Sequence, residues 1–592
     1  MRCTEPDDGP GHAGISASPL KSAVIAVAFD LPGNSATKPR VIIKARKSRL
    51  HEQARKAVTM HEKLAGMLVL GVACVIWSCG SEDTTPRGTD GVAGGYGSVS
   101  GSGGTGGAGV GGTGGTTGGT GGTTGGMGGS IGGTGGTTGG AGGNTGGTGG
   151  GTGGTGGTGG TGGTGGTGGI TGSDKHRLFV TTDLGGDPDD DQSMVHLLVA
   201  ANDFDIEGLV LGLGWLSANN EQLKPERMNA ILNAYEEVLP NLITHGGDGY
   251  PSAEYLRSKF EFGQDSPKMG GVGDGQDSAG SNLLIEAIDK DDPRPLWINA
   301  WGGANTIAQA LWTLNATRTP DEMADIIAKI RVYDILGQDD AGAWMTKTYP
   351  ELFYIRATSV YGWAPDDDWT ASNVQSHGPM GAVYQNTRWA TEGDSPAFFH
   401  VWHNGLNDPD KIDQGGWGGR FSTTKQAGIR VFSAVSGVDE STYDPYYMYT
   451  NASEGIDAIN RWRQHIHNDM EARMDWTITP NYGDANHHPV AAVNGDATKR
   501  ILEVTAEAGS TVALDGAGSS DPDQNSLSYN WYVYGEPSSY GGSVSVDGGN
   551  TASASVSVPS DASGQNIHVI LELSDDGDPQ LWAYRRVIIN VN

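Results

Sequence analysis

The sequence predicts an α/β domain with a mostly parallel sheet, followed by an all-β sandwich and preceded by a disordered Gly/Thr-rich linker. Three observations carry this. β-rich runs alternate with helical patterns between residues 177 and 485, short alternating runs replace them after Pro489, and residues 91–172 hold 48 of the 98 glycines in 82 positions. Alternating strands and helices imply a parallel sheet covered on both faces, whereas closely spaced short strands imply packed sheets.

The amino-terminal part comes first. Residues 60–79 contain a charged start (Glu62, Lys63), an apolar run of about fourteen residues and the ending Ile76-Trp77-Ser78-Cys79. That run is short for a membrane span and fits a signal-peptide core. The ending resembles a bacterial lipobox, in which Cys79 becomes the lipid-modified amino terminus; an uncleaved anchor or ordinary cleavage nearby is the other reading. Residues 1–59 then read as an extension upstream of the true start at Met60, residues 60–79 as a lipoprotein-type signal peptide, and residues 80–174 as the linker. The glycine tract lacks the Pro and the strict frame of collagen and has almost no apolar side chains to offset chain entropy, so it reads as a spacer. A flexible chain of 82 residues has an end-to-end distance of about 50 Å. The expected localisation is therefore an exported outer-membrane lipoprotein or the cell surface, with membrane contact only through the lipid anchor.

Charge narrows the partners. Residues 1–78 carry 11 Lys+Arg against 6 Asp+Glu, so the formal charge of −31 becomes −36 over the remainder. Such a surface repels nucleic acid and anionic lipid, which excludes nucleic-acid binding. Cys3, Cys74 and Cys79 are the only cysteines, so the globular part has no disulfide framework.

The α/β domain is expected over residues 175–485, with strands at 178–182, 206–213, 296–301, 330–336 and 352–355. Ligands of such sheets bind at the carboxyl ends of the strands. The first strand ends in Asp183-Leu-Gly-Gly-Asp187-Pro-Asp189-Asp190-Asp191, five carboxylates in nine residues. Crowded hard oxygen donors without His or Cys suit Ca2+ rather than Zn2+, while a solvated acidic turn capping a helix accounts for the same residues. The β-sandwich is expected over residues 486–592. His487 and His488 read as linker residues, and Asp515, Asp521 and Asp523 fit either a structural cation or Asx turns.

The pattern Asp-x-x-x-Asp-Pro-Asp-Asp resembles the nucleoside hydrolase signature Asp-x-Asp-Pro-Gly-x-Asp-Asp, lengthened and reordered. The sequence is more similar to a bacterial family of cellulose-binding proteins that join a nucleoside-hydrolase-like domain to a C-terminal Ig-like domain. The motifs Thr182-Asp-Leu-Gly-Gly-Asp-Pro-Asp-Asp190, Gly273-Asp-Gly-Gln-Asp-Ser278, Trp301-Gly-Gly-Ala-Asn-Thr306, Gly337-Gln-Asp-Asp-Ala-Gly342, His377-Gly-Pro-Met-Gly381 and Gly415-Gly-Trp-Gly-Gly-Arg420 carry the likeness. It implies a Ca2+ site made by Asp183, Asp190, Asp394 and the carbonyl of Trp301, with Asp183 or Asp189 as the base that takes a proton from an attacking water. It also implies Asn305, Gln338, Asp339 and His377 as polar substrate contacts, and Trp417 is added as an aromatic one from its Gly-rich loop. The enzymes place a His before the late Asp, and this chain has Gly393 there.

Three functions compete. One is a surface-tethered protein that recognises cellulose or another plant glycan, with a hydrolase-like domain acting on glycosyl bonds through Ca2+. The second is an active N-ribosidase without polysaccharide binding. The third, an O-glycosidase with two opposed carboxylates, ranks last because no second carboxylate is fixed across a cleft. Trp363, Trp369, Trp402 and Trp417 stand in Gly/Asp/Asn-rich loops where flat rings could stack on sugars, although core packing accounts for most tryptophans. His196, on an apolar helix face, reads as a packed histidine. Carbohydrate or nucleoside is the expected ligand, and oligomeric state is not legible.

Overall fold

The first strand shows why the sheet is parallel. In β1 (His176–Thr182) every residue after His176 is buried, and β2 (Phe204–Leu211) and β4 (Leu296–Ala300) are buried almost throughout. Strands covered on both faces read as continuous apolar runs. The computed structural model describes residues 175–592 except 187, 215–222, 387–390 and 433–436. The expected upstream extension, signal peptide, Cys79, linker and Asp187 lie outside the described residues.

With β3 (Phe260–Phe262), β5 (Ile330–Ile335), β6 (Phe353–Ala357), β7 (Gln426–Ala427) and β8 (Tyr447–Thr450), the sheet has the order β3-β2-β1-β4-β5-β6-β8-β7. All neighbours are parallel except β7 against β8. The winding reverses between β1 and β4. That reversal opens a crevice at their carboxyl ends, the place where such sheets take ligands.

The helices that pack on the sheet include α1 (Pro188–Val199), α2 (Pro225–Gly246), α3 (Ala279–Asp289), α4 (Ala304–Thr317), α5 (Pro320–Lys329), α6 (Ala341–Thr348), α7 (Ser395–His400) and α8 (Arg463–Ile478). Successive strand residues face opposite sides. Leu178 and Val180 join a core with α1, α2, α7 and α8, while Phe179 joins one with α3 to α6. Local signals set the helix starts: Pro188 and three acidic residues open α1, and capping boxes at Ser278 and Thr319 open α3 and α5. Among the described residues no helix is long and apolar enough to cross a membrane.

The carboxyl-terminal part is all-β. A three-stranded sheet, β10 (Thr511–Asp515), β13 (Ser553–Ser557) and β12 (Val546–Asp547), lies over a four-stranded one, β11 (Ser528–Tyr534), β14 (Asn566–Ser574), β15 (Trp582–Val591) and β9 (Leu502–Ala506). Their inward side chains, including Leu514, Trp531, Val556, Leu571 and Val587, form one core. An antiparallel sandwich is the expectation from the alternating runs, but β9 runs parallel to β15.

The junction is packed and is more than a linker. Arg586, fully buried on β15, donates to the carbonyls of Leu406, Gln414 (2.9 Å) and Gly415 (2.8 Å). Burial pulls its pKa down to about 10. His487 stacks on Tyr482 at 3.7 Å and bonds Asp523, and His488 reaches Asp469 at 2.7 Å.

Candidate functional site

Asp183 follows β1 directly, and the turn behind it closes through Gly186 N–H to the Asp183 carbonyl at 3.0 Å. The chain then enters α1 at Pro188, which puts Asp189, Asp190 and Asp191 in the first helical turn. Unpaired N–H groups there favour negative charge, which is why three successive acids are tolerated in a buried turn.

The run divides by partner. Asp191 is neutralised by Arg227 of α2 (2.7 Å to Nε) and accepts from Gly185 N–H at 3.1 Å. Asp190 accepts from the Thr182 hydroxyl, and Asp189 Oδ2 from the Tyr361 hydroxyl at 2.9 Å. One carboxylate oxygen each from Asp189, Asp190 and Asp394 lies within 4.8 Å of the others, and all three residues are buried. Asp394 comes from the residue before α7. Burial, then the charges of Asp183 and Asp189, push the Asp190 carboxyl well above the ordinary aspartate value.

Asp183 belongs to the same crevice. A Cβ on Gly302 would lie 2.3 Å from its Oδ1, and one on Gly214 would lie 2.3 Å from its Oδ2 and 2.5 Å from Gln338 Oε1. Gln338 donates to the Trp301 carbonyl. Asp183, Gln338 and that carbonyl therefore meet where β1, β4 and β5 end, and both glycines are needed for the approach.

These residues fit a hard cation. Asp189 Oδ1 is buried without a hydrogen-bond partner, its neighbours are carboxylates, and every donor is oxygen. An ion would offset a repulsion that is costly in a buried site.

The other expected contacts are dispersed. Asp339 accepts from Asn305 N–H (3.1 Å) and Ala341 N–H (2.8 Å), tying α4 to α6, and burial pushes its carboxyl up to about 7. Asn305 donates to the carbonyls of Ser266 and Lys268. His377 pairs with Asp475 of α8 at 2.8 Å and with the Ser376 hydroxyl at 3.1 Å. Trp417 requires a correction. It is 3 % exposed, packed against Trp402 and Phe399, with Nε1 on the Tyr584 hydroxyl at 3.3 Å, so it has no free face for a sugar. Trp363 and Trp402 are buried in the same core, and Trp369 packs against its edge.

Two groups escaped the sequence reading. Tyr361 follows β6 at the crevice end of the sheet, a position that could have singled it out. Glu392, in a left-handed conformation (φ 44°), bonds His196 (2.7 Å), Tyr384 (2.7 Å) and Ser395 (2.9 Å) behind the cluster. Burial pushes its carboxyl up, but these partners outweigh it and hold it below the ordinary glutamate value.

Residues 177–421 match the family described as cellulose-binding Sde182, nucleoside hydrolase-like domain, and residues 511–591 match the C-terminal domain described for cellulose-binding protein Sde0182. A solved nucleoside hydrolase-related hypothetical protein from Saccharophagus degradans, described as associated with carbohydrate metabolism, is 53 % identical, with a TM-score of 0.68. The match covers 71 % of this chain and 100 % of that one. A PKD domain (21 % identity, 17 % of this chain and 87 % of that one, TM-score 0.13) and an effector protein (9 %, 52 % and 94 %, 0.28) are too distant in structure to support an argument. No curated protein matches the sequence.

Proposed function

Because the chain belongs to the family of cellulose-binding proteins with a nucleoside hydrolase-like domain, we propose that it is an exported, surface-held protein that recognises plant glycan. In this reading its crevice holds Ca2+ and binds sugar hydroxyls. The observation that supports this most is the buried trio Asp189, Asp190 and Asp394, with its unsatisfied Asp189 oxygen. Asp183 and the Trp301 carbonyl complete the donor set. Bound there, Ca2+ would supply positive charge to grip vicinal hydroxyls and to favour ionisation of a nearby water.

The chain's own residues do the rest. Thr182 and Tyr361 orient Asp190 and Asp189, the α1 N-terminus steadies both charges, and in this reading Asp183 takes a proton from water attacking an anomeric carbon. Gly393 supplies no acid on the leaving-group side. Hydrolysis at this site is accordingly restricted to glycosides with good leaving groups, and binding is the principal activity.

The test is retention on insoluble cellulose, with and without chelator, beside release of phenol from aryl glycosides and of base from nucleosides. Chelator-sensitive retention supports the proposal. Nucleoside turnover without retention would establish the N-ribosidase instead, a reading that the family's nucleoside hydrolase-like domain favours.

A further inference from the structure

Asp189 has two oxygens in different surroundings. Its Oδ2 accepts from the Tyr361 hydroxyl at 2.9 Å, whereas its buried Oδ1 has no hydrogen-bond partner. The carboxylate therefore has one oxygen held by the phenol and the other without a partner, in a residue that supplies an oxygen to the cluster with Asp190 and Asp394. Helix α1 fixes the Asp189 backbone but leaves its side-chain torsion free, so something else must set which oxygen faces the cluster. The phenol, 37 % exposed at the crevice end of the sheet, does so.

Gly393 makes this possible. A Cβ at that position would lie 2.2 Å from Cε1 and 2.8 Å from Cζ of Tyr361, and 2.6 Å from Asp189 Oδ2. A neighbour closer than 3 Å must move, and here two neighbours are the ends of one hydrogen bond. Residue 393 precedes Asp394, so the loop that brings the third carboxylate also admits the tyrosine.

We propose that Tyr361 is a positioning residue for the cation site, and that Gly393 is its structural counterpart: the phenol locks Asp189 with Oδ1 towards Asp190 and Asp394, and the absent side chain at 393 lets it in. This rests on the reading of the cluster as a Ca2+ site. It also deepens that reading, because the phenol proton is committed to Asp189. The residue that occupies the space beside Gly393 is thus a clamp on a ligand rather than a proton source, in keeping with a site that binds sugars more than it cleaves them.

Calorimetric titration of the full chain with Ca2+, repeated with Tb3+, tests it in the wild type, Tyr361→Phe, Tyr361→Ala, Gly393→Ala and the Tyr361→Ala/Gly393→Ala double variant. Partners that orient a metal ligand typically contribute about 10- to 100-fold in affinity. Tyr361→Phe keeps the ring and loses only the hydroxyl, so it should weaken cation binding by about that factor while apo thermal stability stays close to wild type. Gly393→Ala should weaken binding similarly. In the Tyr361→Ala background the same substitution should cost clearly less than it does alone, because its two contacts with the ring have gone and only the one with Asp189 Oδ2 remains. Wild-type affinity in Tyr361→Phe, or losses that simply add in the double variant, would overturn the inference and leave the Ca2+ reading standing. A wild-type chain that binds neither ion would overturn both.

Discussion

Asp190→Asn should shift stability in opposite directions with and without Ca2+. Carboxylate oxygens of Asp189, Asp190 and Asp394 lie within 4.8 Å of one another, and two unit charges at that separation repel by about 3 kcal/mol at an effective dielectric of roughly 20. Burial and the charges of Asp183 and Asp189 raise the Asp190 pKa in the fold. A carboxyl whose folded pKa exceeds its unfolded value gives its full stabilisation below the unfolded value, and this is lost as pH rises towards the folded one. Without cation the wild type should therefore lose stability from about pH 4 upwards, and the variant should lack that component. At neutral pH the gain is bounded by about 4 kcal/mol, because a wild-type group that keeps its proton forgoes no more than the ionisation free energy between its unfolded value and pH 7. Asn retains an oxygen for the Thr182 hydroxyl, and its new amide donors lie among carboxylates that can accept them. With Ca2+ at a hundred times Kd the wild type should gain about 2.7 kcal/mol and the variant nearly nothing. Scanning calorimetry at a series of pH values, in chelator and in Ca2+, reads both signs. A variant less stable than wild type in chelator at neutral pH, or one that keeps the full Ca2+ shift, would refute the reasoning.

Asp339→Asn removes a carboxyl that burial raises to about 7, a displacement equivalent to about 4 kcal/mol. Its stability relative to wild type should climb between about pH 4 and pH 7 in urea unfolding, and a flat difference would refute the buried charge. Arg586→Met strips donors from the carbonyls of Leu406, Gln414 and Gly415; it should cost about 3–5 kcal/mol and split calorimetric unfolding into two transitions, against one unchanged transition if the junction is inert. Trp417→Ala should destabilise by about 3–5 kcal/mol through its cavity while the folded fraction keeps its retention on cellulose. Lost retention at unchanged stability would restore the ring as a sugar contact.

What could be read from the sequence was local. Strands β1, β2, β4, β5 and β6 were legible because strands buried on both faces are written as apolar runs, and α1 because Met194, Leu197 and Leu198 recur at helical spacing. Strand β3 has only three residues and β7 two, too few to show a period. The tryptophans misled for a physical reason: Gly/Asp/Asn-rich flanks look the same whether a loop faces solvent or folds over a core. At the junction, His487 looked like linker because its partners Tyr482, His245 and Asp523 come from both sides of the boundary.

The site itself was half legible, and the missing half follows one rule. Asp183, Asp189 and Asp190 stand together in the sequence, so their chemistry could be read directly. What converts them into a site comes from far along the chain: Asp394, expected only through the family resemblance, arrives on another loop, and Tyr361, not expected at all, meets Asp189 across 172 positions. Gly214, Gly302 and Gly393, on three separate loops, border Asp183 and Asp189 at distances no Cβ could occupy. Packing about two carboxylates this closely forces the surrounding backbone to approach without side chains. At each of these three positions a Cβ would force a neighbouring carboxylate to move.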